Sequence, residues 1–576
     1  MSAVKQLSTS YERFQQLDGY HPLQDVVPDS CVLYQVRELG QGRVSYFNFN
    51  LAKEMGLIPN SHDQVMTEEL HEMLIKTFSL RILNEYDELT RKRTPAKSIK
   101  PKKFMATRYL QLQHQSRTGK TSGDGRGIWN GVVKHRGKTW DVSSRGTGVT
   151  CLSPGFVQAN KPLKTGNTDF GYGCGLAEID ELIGCAIQSE IFHRRGINTE
   201  RTLCVIDLGG GVGIGVRAGH NLLRPAHLFI YLKQNRHAEL RALFNYYMDR
   251  EKENGNGTYS VKSMIMDFAK FTARLERDYI FTWVAWDGDN LLANAGIIDY
   301  GSIRQFGAFH HHYRYDDVDR FSTRLVEQKE QTKNIMLTLL QMTDFIETKN
   351  RKKISDFRHH ALIKKFNKVY ATEVESQMLS SLGFTPAEAK IVQTRFKKQW
   401  KQLRTMYKAM EMWHDPKEKK IADGVNKPAL LSMRIFLKTL SHWLSFNPGL
   451  SEKDCKEILK ISTTQKHYAT LVSHTDRVVM TQTFISTYQF LIKELGKSSQ
   501  ILGRMSQVHS QTRITGNALI HLVDLISAQN RKRDPLLTQA LIDHAVDLGT
   551  ARIANTAPKE LHVKILAITE EYSKEI

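Results

Sequence analysis

The chain has no run of about 18 apolar residues, so no helical membrane span is expected. Its N-terminal stretch, MSAVKQLSTSYERFQQLDGY, lacks the apolar core of a secretory signal. Cysteine is sparse: Cys31, Cys151, Cys174, Cys185, Cys204 and Cys455 are scattered without a C-x-x-C pair. That pattern points to reduced thiols in a cytoplasmic protein and away from a zinc site. No internal repeat and no RNA- or DNA-binding motif stands out.

What is abundant is positive charge. The formal net charge is +21 over 576 residues, which favours polyanionic partners such as nucleotides, nucleic acid or anionic lipid. Part of it lies in a basic run from Arg91-Lys92-Arg93 through a Pro/Lys-rich segment to Lys103, and part at Arg351 to Lys353, Lys364-Lys365 and Lys397-Lys398. The last three alternate with apolar residues at helical spacing, so solvated helix faces are expected and nucleic-acid binding is not favoured. Hydrophobic residues make up 40% of the chain, enough for sizeable cores and two or more lobes.

The patterning predicts an α+β protein whose parts follow a kinase-like order, in two lobes with a large, mostly helical C-terminal region. The expected divisions are 1–105, an extension with a basic linker; 106–224, a lobe with a sheet and one key helix; 225–345, a second lobe; and 346–576, helical. Thr67 to Leu83 is amphipathic, and Ile128 to Val142 reads as a hairpin turned at His135 to Gly137. A helix is predicted over Leu176 to Arg195, with Glu178, Asp180 and Glu181 in its first turns and Gly196 as its stop. Cys204 to Val216 reads as extended, and helices dominate from Ala238 and again after Arg320.

Chemistry concentrates in GDNLLANAGIIDYG, Gly288 to Gly301. Asp289 and Asn290 leave one loop, Ala295 to Ile298 forms a short buried strand, and Asp299 emerges at its end. Two oxygen-bearing side chains, Asn290 and Asp299, would then meet one hard cation, and Asp289 would be left to accept a proton. Asn294 competes with Asn290 for the metal, and ordinary turn chemistry is the plainer reading of Asp287 to Asn290. An EF-hand is excluded, because Ile298 stands where the loop needs a bidentate Glu. Upstream, Gly123-Asp124-Gly125-Arg126 forms a turn suited to phosphate, and Arg217 and Arg224 offer forked N–H donors. A rival signal is VIDLGGGVGIG, Val205 to Gly215, which resembles the first motif of S-adenosylmethionine-dependent methyltransferases. That motif needs a helix directly after the glycines and an acid closing the next strand, and the run Leu228 to Leu232 ends in Lys233-Gln234.

Taken in order, these motifs resemble the selenoprotein O family of kinase-fold protein adenylyltransferases, in collinear patches from about residue 44 to 345. NFNLAKEMGL, Asn48 to Leu57, is similar to the family's N-x-x-L-A-x-x-L-G-L, and Gly123 to Arg126 matches its G-D-G-R. DVSSRGTGVT, Asp141 to Thr150, follows its D-x-x-x-K-G-x-G-x-T except at the lysine. SEIFHRRGINTERTL, Ser189 to Leu203, resembles S-E-x-x-x-x-x-G-I-P-T-T-R-x-L, and DNLLANAGIIDYG resembles D-N-M-S-I-L-G-x-x-x-D-Y/F-G. The resemblance implies ATP bound in a flipped orientation and transfer of AMP to Ser, Thr or Tyr hydroxyls of protein substrates, with Mg²⁺ or Mn²⁺. By position it implies Asp289 as general base, Asn290 and Asp299 as metal ligands, and Gly123, Gly125, Arg126, Arg145, Gly175, Arg217, Arg224 and Asp299 at the nucleotide.

Four positions depart from the family pattern. Arg145 replaces its lysine, Gly173-Cys174-Gly175-Leu176-Ala177 replaces a second G-D-G-R-A, Cys185 replaces the helix acid that pairs with the lysine, and Trp283 replaces a histidine. Glu181 lies one turn before Cys185, where the longer Arg145 would reach it. The alternatives are a methyltransferase and a catalytically inactive nucleotide- or nucleic-acid-binding pseudokinase.

Overall fold

Residues 9–90, 94–111, 114, 118–170, 174–255, 257–282, 284, 287–309, 327–414, 429–447, 449–550 and 558–572 are described by the computed structural model. The run Arg91 to Arg93, Gly173 and Trp283 lie outside them, as does the boundary set at Arg320.

The chain is mixed α+β. Eight strands form one antiparallel sheet: β1 (Cys31–Tyr34), β2 (Arg43–Phe47), β3 (Phe104–Thr107), β4 (Gly127–His135), β5 (Lys138–Arg145), β6 (Ala177–Glu178), β7 (Arg201–Gly209) and β8 (Val212–Gly219). Their spatial order is β1-β3-β4-β5-β8-β7-β2, with β6 pairing to β8. β4 and β5 are joined by Arg136 and Gly137, both at positive φ (49° and 74°), as a two-residue hairpin turn of matching twist requires. The hairpin expected to end at Val142 runs on to Arg145, which carries that residue to the rim of the sheet.

The glycine run turns out differently from its methyltransferase reading. β7 and β8 pair antiparallel through Gly209, Gly210 and Gly211, all at positive φ, so the glycines turn a hairpin and open no helix. Leu228 to Leu232 lies within helix α2 (Pro225–Lys233), not in a strand. The remaining glycines of the run have a packing role. A Cβ on Gly215 would meet Leu182 at 2.4 Å, and one on Gly213 would meet Ile179 at 3.0 Å and the Ile206 carbonyl at 2.6 Å. Their bareness lets helix α1 (Ile179–Arg194) lie close on the sheet.

α1 begins three residues later than the sequence pattern implies, because Ala177 and Glu178 are drawn into the sheet as β6. It ends as expected, with Arg195 as cap and Gly196 at φ 76°. Leu182 to Phe192 are all buried, the signature of a helix covered on every side. One side faces β7 and β8; the other is covered by helices from the far end of the chain.

Those helices divide between two cores. One core gathers residues from Met378 to Met505. The other runs from Leu23 through α1, α2, α3 (His237–Asn254), α4 (Val261–Arg277), α5 (Gln328–Thr348) and α6 (Ala361–Ser381) to Ile565. Helices α7 (Gly516–Arg531) and α8 (Pro535–Gly549) thus return to pack on α1, and α8 also touches β2. Arg351 to Lys353, Lys364-Lys365 and Lys397-Lys398 are exposed, the latter two pairs on helix faces. Among the described residues no helix is long and apolar enough to cross a membrane.

Candidate functional site

Antiparallel register brings the first cations together. Arg145 of β5 stands opposite Gly215 of β8, and Ser143 stands opposite Arg217, so Arg145 and Arg217 share one face of the sheet. α1 crosses that face and delivers Glu181 from its first turn. The Arg145 Nη1–H donates to Glu181 Oε1 at 3.2 Å, the pairing foreseen from the one-turn offset. Glu181 is shared, however: Arg126 takes it in a two-pronged contact at 2.7 and 2.9 Å. The second Arg145 fork donates to Cys185 Sγ at 2.8 Å, and burial pushes that thiol up to about 12, so it stays protonated.

Two short strands carry the aspartates. β9 (Leu291–Leu292) pairs with β10 (Gly296–Ile297), with Leu291 opposite Ile297. Ala295 at φ 59° makes the turn, which shortens the predicted Ala295 to Ile298 strand to two residues. Extended outward, the register sets Asn290 opposite Ile298 and Asp289 opposite Asp299. Asp299 adopts a left-handed backbone (φ 69°), and its N–H donates to Glu200 Oε1 at 3.1 Å. Glu200 Oε2 in turn accepts from Arg217 at 3.0 Å. Arg224, the residue before α2, donates to both the carbonyl and Oδ1 of Asp289, at 2.7 and 2.8 Å, while Gln111 donates to Oδ2 at 3.0 Å.

The two aspartates thereby acquire different characters. Asp289 is only 5% exposed; burial raises its pKa, and Asp299 adds repulsion, against the opposing pull of Arg224 and Gln111. Asp299 keeps 31% of its exposure, and Arg145 lies 3.9 Å from it. Burial raises its pKa too, but Arg145, Arg224, Arg126 and Arg217 outweigh that and hold its carboxyl below the ordinary value. Asp289 is thus the more basic carboxylate and Asp299 the more firmly ionised one.

The predicted glycines play a different part from the arginines. A Cβ on Gly123 would meet the Thr107 carbonyl at 2.0 Å, one on Gly125 would meet Ser153 Cα at 2.7 Å, and one on Gly175 would meet the Val149 nitrogen at 2.0 Å. Close backbone neighbours therefore account for glycine at all three positions. Asp124 is a buried knot that accepts from the Thr107 N–H and hydroxyl and from Trp129 Nε1. Arg126 is the member of that turn that reaches the carboxylates.

For a cation, the competing asparagines separate. Asn294 Oδ1 accepts from Asn198 at 2.8 Å and its Nδ2 donates to Glu251 at 3.4 Å, so both ends of its amide are engaged. Asn290 is buried next to Asp289, and the extended register sets it opposite Ile298, one residue before Asp299. Among the described residues no cluster of three His, Cys, Asp or Glu side chains is arranged to hold a metal. Glu200 and Gln111 join the site through the fold. Glu200 sits visibly in the motif SEIFHRRGINTERTL, whereas nothing marks Gln111 before the fold brings it 3.0 Å from Asp289. Compared with known proteins, the chain matches no family model and no curated protein.

Proposed function

We propose that the chain is a kinase-like protein adenylyltransferase, moving AMP from ATP to Ser, Thr or Tyr hydroxyls of protein substrates with Mg²⁺ or Mn²⁺. The observation that carries this reading is the gathering of a buried Asp289, a half-buried Asp299 and four arginines, with Arg224 on Asp289, Arg145 3.9 Å from Asp299, and Arg126 and Arg217 joined to them through Glu181 and Glu200. A sheet arginine paired with an acid on the covering helix supports the two-lobed kinase reading, since protein kinases pair a strand lysine with a helix glutamate.

Asn290 and Asp299 would hold the cation. An amide oxygen and an ionised carboxylate suit Mg²⁺, which takes one or two carboxylates and completes its shell with water and substrate phosphates. When bound, such an ion supplies charge neutralisation on the phosphates. Arg126, Arg145, Arg217 and Arg224, held in place by their carboxylate partners, would direct their remaining N–H donors at phosphate oxygens. The acceptor hydroxyl oxygen then bonds to the α-phosphorus as the bond from that phosphorus to the bridging oxygen breaks. Pyrophosphate leaves, and the hydroxyl proton passes to Asp289 within hydrogen-bond reach.

Both carboxylate oxygens of Asp289 are already engaged, by Arg224 and Gln111, which favours as second reading a nucleotide-binding pseudokinase that performs no transfer. Incubation of the chain and acceptor proteins with ATP labelled at the α- or the γ-phosphate separates the readings. Protein-bound α-label is expected. Transfer of γ-label alone marks a kinase, and ATP binding with neither label transferred marks the pseudokinase.

A further inference from the structure

A second concentration of charge lies around a cavity of about 120 Å³. Arg195 at the end of α1 and Arg274 and Arg277 of α4 meet there with Arg434 and Arg513 from the C-terminal helical region. At ~30 Å³ for each water, the space holds about four waters or one small oxyanion. It is smaller than the ~300 Å³ at which pockets for drug-sized ligands begin.

Two of the five guanidinium groups are neutralised: Arg277 by Glu411 at 2.9 Å, and Arg274 by Asp278. The other three are held by neutral groups. Arg195 donates to the carbonyls of Thr512 and Gly549 at 3.0 and 2.7 Å, and Arg434 to those of His509 and Gln511 at 3.4 and 3.2 Å. Arg513 donates to the Phe306 carbonyl at 3.1 Å and lies over the Tyr279 ring, 4.3 Å from its centre. Arg434 is 9% exposed, and its Nε is buried with no hydrogen-bond partner among the described residues.

Crowding like charges in a buried space works against them. Burial, with Arg513 and Arg195 beside it, brings Arg434 down to about 9; burial, with Arg513 and Arg274, brings Arg195 down to about 10 despite the pull of Asp278. His509 adds no charge, since burial holds it at about 3 with its Nε2 on the Ser381 carbonyl. An anion would relieve this repulsion and satisfy the Arg434 donor. Planar guanidinium forks match the oxygens of phosphate in spacing and charge.

We propose that this cavity is a binding site for a phosphate oxyanion, free or as the end group of a small phosphomonoester. The site is independent of the nucleotide reading. Glu181 and Arg195 stand at opposite ends of α1, roughly 20 Å apart at a rise of about 1.5 Å per residue. Titration calorimetry of the full chain with inorganic phosphate, at ionic strength fixed with chloride, tests it. Saturable binding is expected in the unaltered chain and in Arg217→Ala, and at least about tenfold weaker binding in Arg434→Met, the loss of one charge-assisted hydrogen bond. Where circular dichroism shows Arg434→Met unfolded, Arg274→Gln on the more exposed rim takes its place, with the same weakening expected. Glycerol 3-phosphate as second titrant decides the source: binding of both anions marks an end-group site, and binding of phosphate alone marks a free-anion site. No saturable binding in the unaltered chain, or full affinity in the folded cavity variant, overturns the proposal. So does loss in Arg217→Ala with retention in Arg434→Met, which puts phosphate in the other cleft.

Discussion

Four guanidinium groups, Arg145 foremost, act on Asp299 and hold its carboxyl below the ordinary value despite burial. Asp299→Ala is therefore expected to abolish metal-dependent ATP affinity, read by calorimetry with and without Mg²⁺, while the thermal melt shows a folded chain. Full Mg²⁺-dependent affinity in that variant rejects the ligand assignment. Asn294→Ala is the matched control: its amide is tied to Asn198 and Glu251, so nucleotide affinity should be unchanged. A different aspartate governs acid stability. Asp141 is buried against His21 and Arg250, at 3.1 and 2.7 Å; burial raises its pKa, but Arg250, His21 and the Leu222 N–H bring it down to about 2. A depressed carboxylate contributes stability that is complete above its unfolded value of about 4 and is lost as pH falls towards the folded value. Arg250→Ala leaves that charge buried beside the neutral His21, a change that costs about 3–5 kcal/mol. The acid-unfolding midpoint, followed by circular dichroism, should move to higher pH in the variant; an unchanged midpoint removes the pair from the account.

At the scale of elements, α1 is the piece that joins sheet and site, and Glu181 in its first turn holds two arginines at once. Glu181→Ala leaves both without that partner, so ATP binding or turnover should fall about as far as in Arg145→Ala, with the double variant losing little more. A silent Glu181→Ala beside a severe Arg145→Ala would mean that Arg145 works alone on phosphate. The helix was legible because its acidic start and Gly196 stop are local signals, and the β4–β5 hairpin because His135 to Gly137 is a local turn. Its first residues were misplaced because Ala177 and Glu178 are claimed by pairing with β8, a partner distant in sequence. The triple glycine is ambiguous in the sequence for a similar reason. Positive φ at Gly209 to Gly211 serves a hairpin as well as a strand-to-helix turn, and only the pairing of β7 with β8 chooses between them.

Across the whole molecule, the last helices complete the first core. Gly549 lies against Ile191, Gly184 faces Leu519 and Val523, and Arg194 meets Asp547 at 2.7 Å, all across the outer side of α1. Each large apolar side chain buried there stabilises by about 1.5–3 kcal/mol, a substantial share of a typical domain's total of about 5–15 kcal/mol. A chain ending at residue 511 should accordingly lose its cooperative melt and elute as aggregate in size-exclusion chromatography. A monomer with an unshifted melting temperature would show that α1 needs no cover from α7 and α8.

Residue identity alone determined the mixed α+β character, the positive charge, the key helix and the Asp289–Asp299 spacing, since each is written in local patterns of apolarity, charge and turn residues. The tertiary structure decided which of those residues meet. Glu200 and Gln111 entered the site, Asn294 was tied to Asn198 and Glu251, and five arginines from distant stretches surrounded one cavity. Such meetings depend on strand register and on helices returning from hundreds of residues away. Contacts of that kind arise from packing in three dimensions and leave no period in the chain.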